Sequence, residues 1–375
     1  MDKKKLVMLF SSVLLILALA AVPLLSACAP APAPTAPMTP AKPTTPTKTT
    51  SPTTPAPVEE PTYNWRFTNT WAGFGLMNEG AEMFIDECDR LSDGRIVWEF
   101  YPGDLLGDYS WKLEQIAMGT LEGGLESLST GLDPRLEMVT IPYVVFDWDA
   151  AYELYSSGGP LFDIFYGVCE DVGWKLLGTW ASCFNDIAVT EAKGGFIPTP
   201  DEVGKLGVKC RTMLMKTDEM AIDAMGFLAI PMARAEVETA MSTGVIDGRG
   251  GMCSMELGGF TGLAKYDYRY RMRPEVQLLL MSLDVFNSLP LKDQQIVQEA
   301  ADNTCDWLWE ITPVTNDSER EAAAAEGWEI VELTPEQMGA NVEAVRESVW
   351  PYMEGVIGKV LMDKIREYAQ SVPGM

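Results

Sequence analysis

The residue best suited to bind a small charged molecule is Arg211, which follows the apolar run GVKC at residues 207–210. Such a run is typical of a short buried strand. A guanidinium group presents a planar pair of N–H donors that matches the two oxygens of a carboxylate, which a lysine cannot do. Arg211 is therefore a candidate anchor for an organic acid. From the residue alone, a structural ion pair at the end of a strand is an equal alternative.

The chain has no histidine, which excludes Ser-His-Asp and Cys-His nucleophiles and all His-ligated zinc sites. No spaced cluster of carboxylates replaces them, so we expect a protein without a metal, without a cofactor and without enzymatic activity. No CxxC pair is present. We expect most of the cysteines after Cys28 to be free, buried thiols: Cys88, Cys169, Cys183, Cys210, Cys253 and Cys305.

The first 62 residues indicate export and a tether. Residues 1–28 combine a basic start with a long apolar run and end in Leu-Ser-Ala-Cys, which resembles a bacterial lipobox in which Cys28 is lipidated. An uncleaved membrane anchor is the alternative. Residues 29–62 are rich in Pro, Thr and Ala and cannot bury a core. Both alternatives place the rest of the chain outside the cytoplasmic membrane, held there by the anchor.

The formal net charge of the chain is −26. Such a charge argues against nucleic acid and against direct contact with anionic membrane surfaces. It also gives no long-range attraction for anions, so an anion site has to be local.

The hydrophobic pattern after residue 62 alternates between strand and helix. It predicts strands at residues 65–70, 96–101, 174–179, 207–211 and 245–247, and helices at residues 75–91, 235–243 and 291–325, the last one broken near Pro313. This alternation predicts α/β lobes with mixed sheets and a binding cleft at the carboxyl ends of strands. Arg211 lies at one such end and Arg249 near another.

Residues 209–211 (KCR) and 231–248 (PMARAEVETAMSTGVIDG) resemble the core pattern of TRAP-transporter solute-binding proteins, the DctP-like family. There the pattern is K-[IV]-R followed by P-x-x-x-x-E-V-x-x-A-L-x-x-G-V-[IV]-D-G. Further similar segments follow in the family's order at residues 94–96, 101–107, 141–143, 174–180, 199–207 and 283–290.

The resemblance implies a two-lobed, periplasmic-binding-protein-like α/β fold with mixed sheets, hinge strands and a long connecting C-terminal helix. We expect the first lobe in residues 63–183 plus about 274–312, and the second in residues 184–273 plus about 313–375. The lobes should close by hinge motion near residues 180–185 and 272–276. The resemblance also makes Arg211 the residue that pairs with the ligand carboxylate.

Two positions depart from the family pattern. Many members carry an arginine where this chain has Asn185, and many carry Asn or Glu-Trp where it has Gly250-Gly251. The usual second anchor is therefore changed, and the Glu-Trp of metal-assisted binders is missing. Arg249 is either a second clamp or a solvated surface arginine. Asn185 remains a candidate ligand contact.

Aromatic residues are candidates for the cleft walls, because flat rings contact a ligand's carbon skeleton. Trp71 follows the first strand and favours binding, whereas ordinary core packing is at least as good an explanation for Trp180. Glu236 is expected to hold its helix against a neighbour, and Asp247 to shape its turn. Residues 266–273 (YDYRYRMR) are expected to return between the lobes, with a rim for a larger ligand as the alternative.

We therefore predict a solute receptor that delivers a small organic acid to TRAP membrane subunits. With Arg211 as the one dependable cation, the ligand should be a monocarboxylate rather than a C4-dicarboxylate or sialic acid. The alternatives are a binding protein that serves a sensor or an ABC importer, and an extracytoplasmic enzyme.

Overall fold

The structure, a computed structural model, describes residues 60–71, 73 and 75–372. The predicted signal segment with Cys28, and the predicted tether up to residue 59, lie outside the described residues. Within the described part, no helix is both long and apolar enough to cross a membrane.

The described part of the chain has eleven β-strands, which form two sheets. They are β1 (Tyr63–Asn69), β2 (Ile96–Tyr101), β3 (Gly123–Ser127), β4 (Trp174–Phe184), β5 (Asp186–Val189), β6 (Lys209–Thr212), β7 (Leu228–Pro231), β8 (Gly248–Met252), β9 (Tyr266–Arg269), β10 (Pro274–Ser282) and β11 (Glu329–Glu332).

The helices pack around these strands. They are α1 (Gly75–Leu91), α2 (Tyr109–Ala117), α3 (Trp148–Tyr155), α4 (Pro160–Asp171), α5 (Pro200–Leu206), α6 (Lys216–Ala224), α7 (Val237–Ser242), α8 (Leu283–Ser288), α9 (Leu291–Ala325), α10 (Pro335–Ile357) and α11 (Lys359–Tyr368). Short 3₁₀ turns lie at Gly103–Leu105, Pro134–Thr140, Arg234–Glu236 and Ser254–Phe260.

Two mixed sheets divide the strands between two lobes. The first has the order β2-β1-β3-β10-β4, and the second has the order β11-β9-β5-β8-β6-β7. In the first sheet, β1 is parallel to β2 and β3, whereas β10 is antiparallel to β3 and β4. In the second, β6 is parallel to β7 and β8, whereas β5 is antiparallel to β8 and β9. The predicted α/β fold with mixed sheets is confirmed.

The sequence explains why these elements form. In α1, Met77, Ala81, Phe84 and Cys88 recur at helical spacing and are buried, so one face of the helix covers the first sheet. Every residue of β10 is buried, as expected for a strand inside a sheet that is covered on both faces.

The chain crosses between the sheets at the ends of two long strands. β4 leads into β5 through Asn185, and β9 returns to β10 through residues 270–273. The long helix α9 lies against this crossing, where Trp309 Nε1 donates to the Thr179 carbonyl oxygen at 2.9 Å and Asn316 Nδ2 donates to the Ser182 carbonyl oxygen at 3.0 Å.

Two local predictions are wrong. The helix at residues 291–325 is not broken at Pro313, because α9 continues through it. Proline removes one backbone hydrogen bond, and the packing of α9 on β4 offsets that loss. The strand expected at residues 245–247 begins instead at Gly248. A Cβ atom at Gly248 would lie 2.9 Å from the Ala188 carbonyl oxygen, so glycine permits the close pairing of β8 with β5.

Candidate functional site

Arg211 lies one residue before the end of β6 and is buried, with only 4 % of its surface exposed. Its Nε donates a hydrogen bond to the Met232 carbonyl oxygen at 3.1 Å. It forms no ion pair with any described residue, whereas Arg249 and Arg273 both do. Burial, followed by repulsion from Arg249, lowers the pKa of Arg211 to about 10, so its charge persists at neutral pH. An unpaired buried cation is costly, and an anionic ligand would remove that cost.

Arg249 is the neighbour of Arg211 in the register of β6 and β8, but its charge is already neutralised. Its Nη2 donates to both carboxylate oxygens of Glu256, at 2.7 and 2.6 Å, and its guanidinium lies 4.9 Å from the centre of the Phe260 ring. Only 1 % of Arg249 is exposed, so the alternative of a solvated surface arginine is wrong. Its role as a ligand clamp stays a prediction, with Glu256 occupying one of its nitrogens.

Glu256 also binds Arg234, whose Nη2 lies 3.0 Å from Glu256 Oε1. Burial alone would raise the pKa of the Glu256 carboxyl, but Arg249 and Arg234 together hold that pKa below its usual value. One ionised carboxylate is thus shared by two arginines of the second lobe.

Trp71 follows β1 of the first lobe and is buried. The Arg234 guanidinium lies 4.3 Å from the centre of the Trp71 ring, which is a cation–π contact from one lobe to the other. Trp71 Nε1 donates to Ser127 Oγ at 3.1 Å, and Ser127 Oγ donates to Gln277 Oε1 at 2.9 Å. These bonds fix the ring to β3 and β10.

Tyr109, at the start of α2, also belongs to the first lobe and is largely buried. Burial raises the pKa of the Tyr109 phenol, and the charge of Arg211 opposes that rise. The charge of Arg211 therefore acts on a residue of the first lobe.

Arg273 lies at the crossing between the lobes and is fully paired. Its Nη1 donates to Glu275 Oε2 at 2.6 Å, and its Nη2 lies 3.3 Å from Asp218 Oδ1 in α6. Burial alone would lower the pKa of Arg273, but Glu275 and Asp218 raise it. Burial raises the pKa of Glu275, although the charge of Arg273 opposes that rise.

The model of the DctP family, described as bacterial extracellular solute-binding protein, family 7, matches residues 67–354 of this chain. The chain belongs to this family. The match covers the whole second sheet, most of the first and every residue described above in this subsection, so the fold and the general role of a solute-binding protein apply to this part of the chain.

Individual DctP-family relatives are distant. A solute-binding protein of Chromohalobacter salexigens is 26% identical over 259 residues, which are 64% of this chain and 74% of that protein. The sialic acid-binding periplasmic protein SiaP of Vibrio cholerae is 26% identical over 233 residues, which are 60% of this chain and 69% of SiaP. The crystal structure of a TRAP periplasmic solute binding protein from Sulfitobacter sp. NAS-14.1, with bound β-D-galacturonate, shares the fold with a TM-score of 0.73. It is 24% identical and covers 82% of this chain and 99% of its own.

Asn185 lies at the crossing between the lobes of this DctP-family protein, and its role as a ligand contact stays a prediction. It is fully buried, its Nδ2 lies 3.7 Å from Cys183 Sγ, and its Oδ1 has no hydrogen-bond partner among the described residues. Cys183 forms a disulfide with Cys253, with a Cα–Cα distance of 5.5 Å. The expectation that most of the thiols are free is confirmed, and this pair is the exception, because the crossing brings β4 beside the end of β8. The remaining described cysteines are free and buried: Cys88, Cys169, Cys210 and Cys305.

Trp180 was a candidate cleft wall, and the structure places it in the core instead. It is completely buried, and its Nε1 donates to Thr312 Oγ1 of α9 at 2.6 Å. The side chain faces the long helix because β4 is covered by that helix along this stretch.

The two motif acids differ in their placement. Asp247 Oδ2 accepts a hydrogen bond from the Lys209 backbone nitrogen at 3.0 Å, which ties its turn to β6. Glu236 is exposed, and its side chain makes no hydrogen bond or ion pair with a described residue. The expectation that Glu236 holds its helix against a neighbour is therefore wrong, since the side chain points to solvent.

The aromatic-basic segment at residues 266–273 forms β9 and the connection to β10. Its arginines form ion pairs with acidic residues, which does not support the alternative of a rim around a larger ligand. Arg269 binds Asp186 and Glu332, and Arg271 also binds Glu332.

The sequence analysis did not identify three residues that interact with Arg211, Arg249 or Trp71: Arg234, Glu256 and Tyr109. Arg234 lies inside the family segment, two residues before Glu236, and its charge was the available signal. Glu256 and Tyr109 carry no local signal, because their importance depends on contacts with distant residues.

Among the described residues, no group of three or more His, Cys, Asp or Glu side chains could hold a metal ion.

Proposed function

We propose that this protein is the extracytoplasmic receptor of a TRAP-type secondary transporter and that it captures a small monocarboxylate between its lobes. The observation that carries the proposal is Arg211, a buried guanidinium without an ion-pair partner among the described residues, at the carboxyl end of a strand. Its free N–H groups suit a carboxylate, and Trp71 and Tyr109 of the other lobe supply flat contact surfaces.

The charge balance of the cleft supports a single negative charge on the ligand. Arg211 and the two ion-pair clusters whose charges act on it contain four arginines and three carboxylates: Arg211, Arg234, Arg249, Arg273, Asp218, Glu256 and Glu275. Four positive and three negative charges leave one positive charge. A monoanion neutralises it, whereas a dianion would leave an uncompensated negative charge in a buried site.

The same proposal covers the chain outside the cleft. Cys28 is lipidated and residues 29–62 tether the lobes to the outer face of the membrane, so that the loaded receptor can reach the TRAP membrane subunits. The lobes comprise residues 63–183 plus about 274–312, and residues 184–273 plus about 313–375. The protein binds its ligand without transforming it.

A thermal-shift screen of carboxylates tests the proposal, because a ligand at 100 times its Kd stabilises the folded state by about 2.7 kcal/mol. We expect monocarboxylates to raise the Tm and succinate and malate to leave it unchanged. Submicromolar binding of succinate, malate or sialic acid would contradict the proposed ligand class.

A further inference from the structure

The thioether of Met213 lies against Gly251, on the strand that pairs with the strand of Arg211. Met213 comes directly after β6 and follows Arg211 by two positions. Gly251 follows Arg249 by two positions, and Arg249 pairs with Arg211 in the register of the sheet. Met213 and Gly251 are therefore neighbours at the ends of adjacent strands.

Met213 fills the volume that a side chain at position 251 would need. A Cβ atom built on Gly251 would lie 2.6 Å from Met213 Cε, and the φ angle of +71° at Gly251 also favours glycine. Met213 Sδ accepts a weak hydrogen bond from Arg273 Nη2 at 3.7 Å, which holds the thioether across this position.

Two polar groups of the site are already engaged. Glu256 is occupied by Arg249 and Arg234. The indole N–H of Trp71 is donated to Ser127. The Met213 thioether and the Trp71 ring therefore add apolar surfaces to the proposed site.

We infer that the ligand's carbon skeleton is apolar, so that the receptor takes aliphatic or aryl-substituted monocarboxylates in preference to hydroxylated sugar acids. The inference rests on the proposed function and deepens it. A hydroxyl group buried against Met213 and Trp71 loses its hydrogen bonds to water without replacement, and each such loss weakens binding about tenfold. Met213 is the residue that sets this preference.

Calorimetry on the mature protein with matched monoanions tests the inference. The apolar probes are 4-methylpentanoate and phenylacetate, and the hydroxylated probes are gluconate and glucuronate. We expect the apolar acids to bind at least about tenfold tighter. Met213→Gln, which puts an amide in the same volume, should reduce that ratio at least about threefold. Leu214→Gln is the matched control. Leu214 is exposed, so this substitution adds the same amide group outside the proposed site.

The outcomes separate this inference from the proposed function. If gluconate or glucuronate binds as tightly as the apolar acids or tighter, and Arg211→Ala abolishes that binding, the receptor function stands and the apolar preference is overturned. If Met213→Gln leaves the ratio unchanged, the role of Met213 is overturned. If none of the four acids binds, the monocarboxylate receptor and this inference both fail.

Discussion

Arg211 and Arg249 are paired in register on the neighbouring parallel strands β6 and β8, and of the two only Arg249 is neutralised by a described carboxylate. Glu256 neutralises Arg249, whereas Arg211 has no ion-pair partner among the described residues. In the proposed function Arg211 is the buried cation that binds the ligand, and selectivity depends on keeping Glu256 ionised between Arg249 and Arg234.

Replacing Glu256 should damage both stability and selectivity. Glu256→Gln leaves two arginines without their carboxylate, and breaking a buried ion pair in this way costs about 3–5 kcal/mol. Urea denaturation measures the loss. Glu321→Gln, on the exposed side of α9, is the control and should cost little. An unchanged midpoint for Glu256→Gln would show that the shared carboxylate does not matter for folding.

The contact between Arg234 and Trp71 should hold the lobes together. Arg234→Gln can keep a hydrogen bond to Glu256 but loses the cation–π contact, which is worth about 0.5–2 kcal/mol. We expect a larger radius of gyration by small-angle scattering. Ligand should reduce that radius again through hinge motion near residues 180–185 and 272–276.

Arg90→Gln is the matched control, since Arg90 is an exposed arginine paired with Glu87 away from the cleft. Scattering profiles that do not respond to saturating ligand, in the wild type and in Arg234→Gln alike, would refute lobe closure.

The disulfide should be a major source of stability. Cys183 and Cys253 are separated by 70 residues, and closing a loop of this length stabilises a fold by about 4 kcal/mol in the chain-entropy model. The double variant Cys183→Ser/Cys253→Ser should unfold at lower urea concentration by a corresponding amount. A reducing agent should destabilise the wild type and have no further effect on the double variant. Equal sensitivity of both proteins to the reductant would mean that the bond is absent.

Asp267 should give the protein a specific pH dependence. Burial, followed by the charge of Asp186, raises the pKa of Asp267 from 3.8 to about 7, although Arg320 and Arg269 oppose the rise. Between pH 3.8 and about 7, Asp267 keeps a proton in the folded protein that it has released in the unfolded chain. The free energy of unfolding therefore falls as the pH rises through this range. The slope from this one group is at most about 1.4 kcal/mol per pH unit.

Asp267→Asn should flatten the dependence of the unfolding free energy on pH between pH 4 and about 7. Glu321→Gln should leave the slope unchanged. Identical slopes for the wild type and Asp267→Asn would show that Asp267 titrates normally.

The sequence predicted the elements that have local signals. The helix α1 follows from apolar residues at helical spacing, and Arg211 at the end of β6 follows from the short apolar run before it. Both depend only on residues adjacent in the chain, so periodicity is sufficient.

The sequence could not predict what depends on tertiary contacts. The strand β8 was predicted at residues 245–247, before its actual start at Gly248. Gly248, Gly250 and Gly251 have low strand propensity, and they form a strand only because they pair with β5 and β6. The disulfide and the ion pairs of Glu256 likewise depend on tertiary contacts, which form only when the chain has crossed between the lobes.

The most direct test of the account is the binding of the tightest monocarboxylate from the screen to Arg211→Ala, measured by calorimetry. Removing the guanidinium leaves the ligand carboxylate buried and unpaired, so we expect a loss of about 2–5 kcal/mol of binding free energy. Arg211→Lys should restore only part of it, because an ammonium group cannot bind both oxygens in one plane. Arg90→Gln should bind like the wild type. Wild-type affinity in Arg211→Ala would contradict the central claim that Arg211 anchors the ligand.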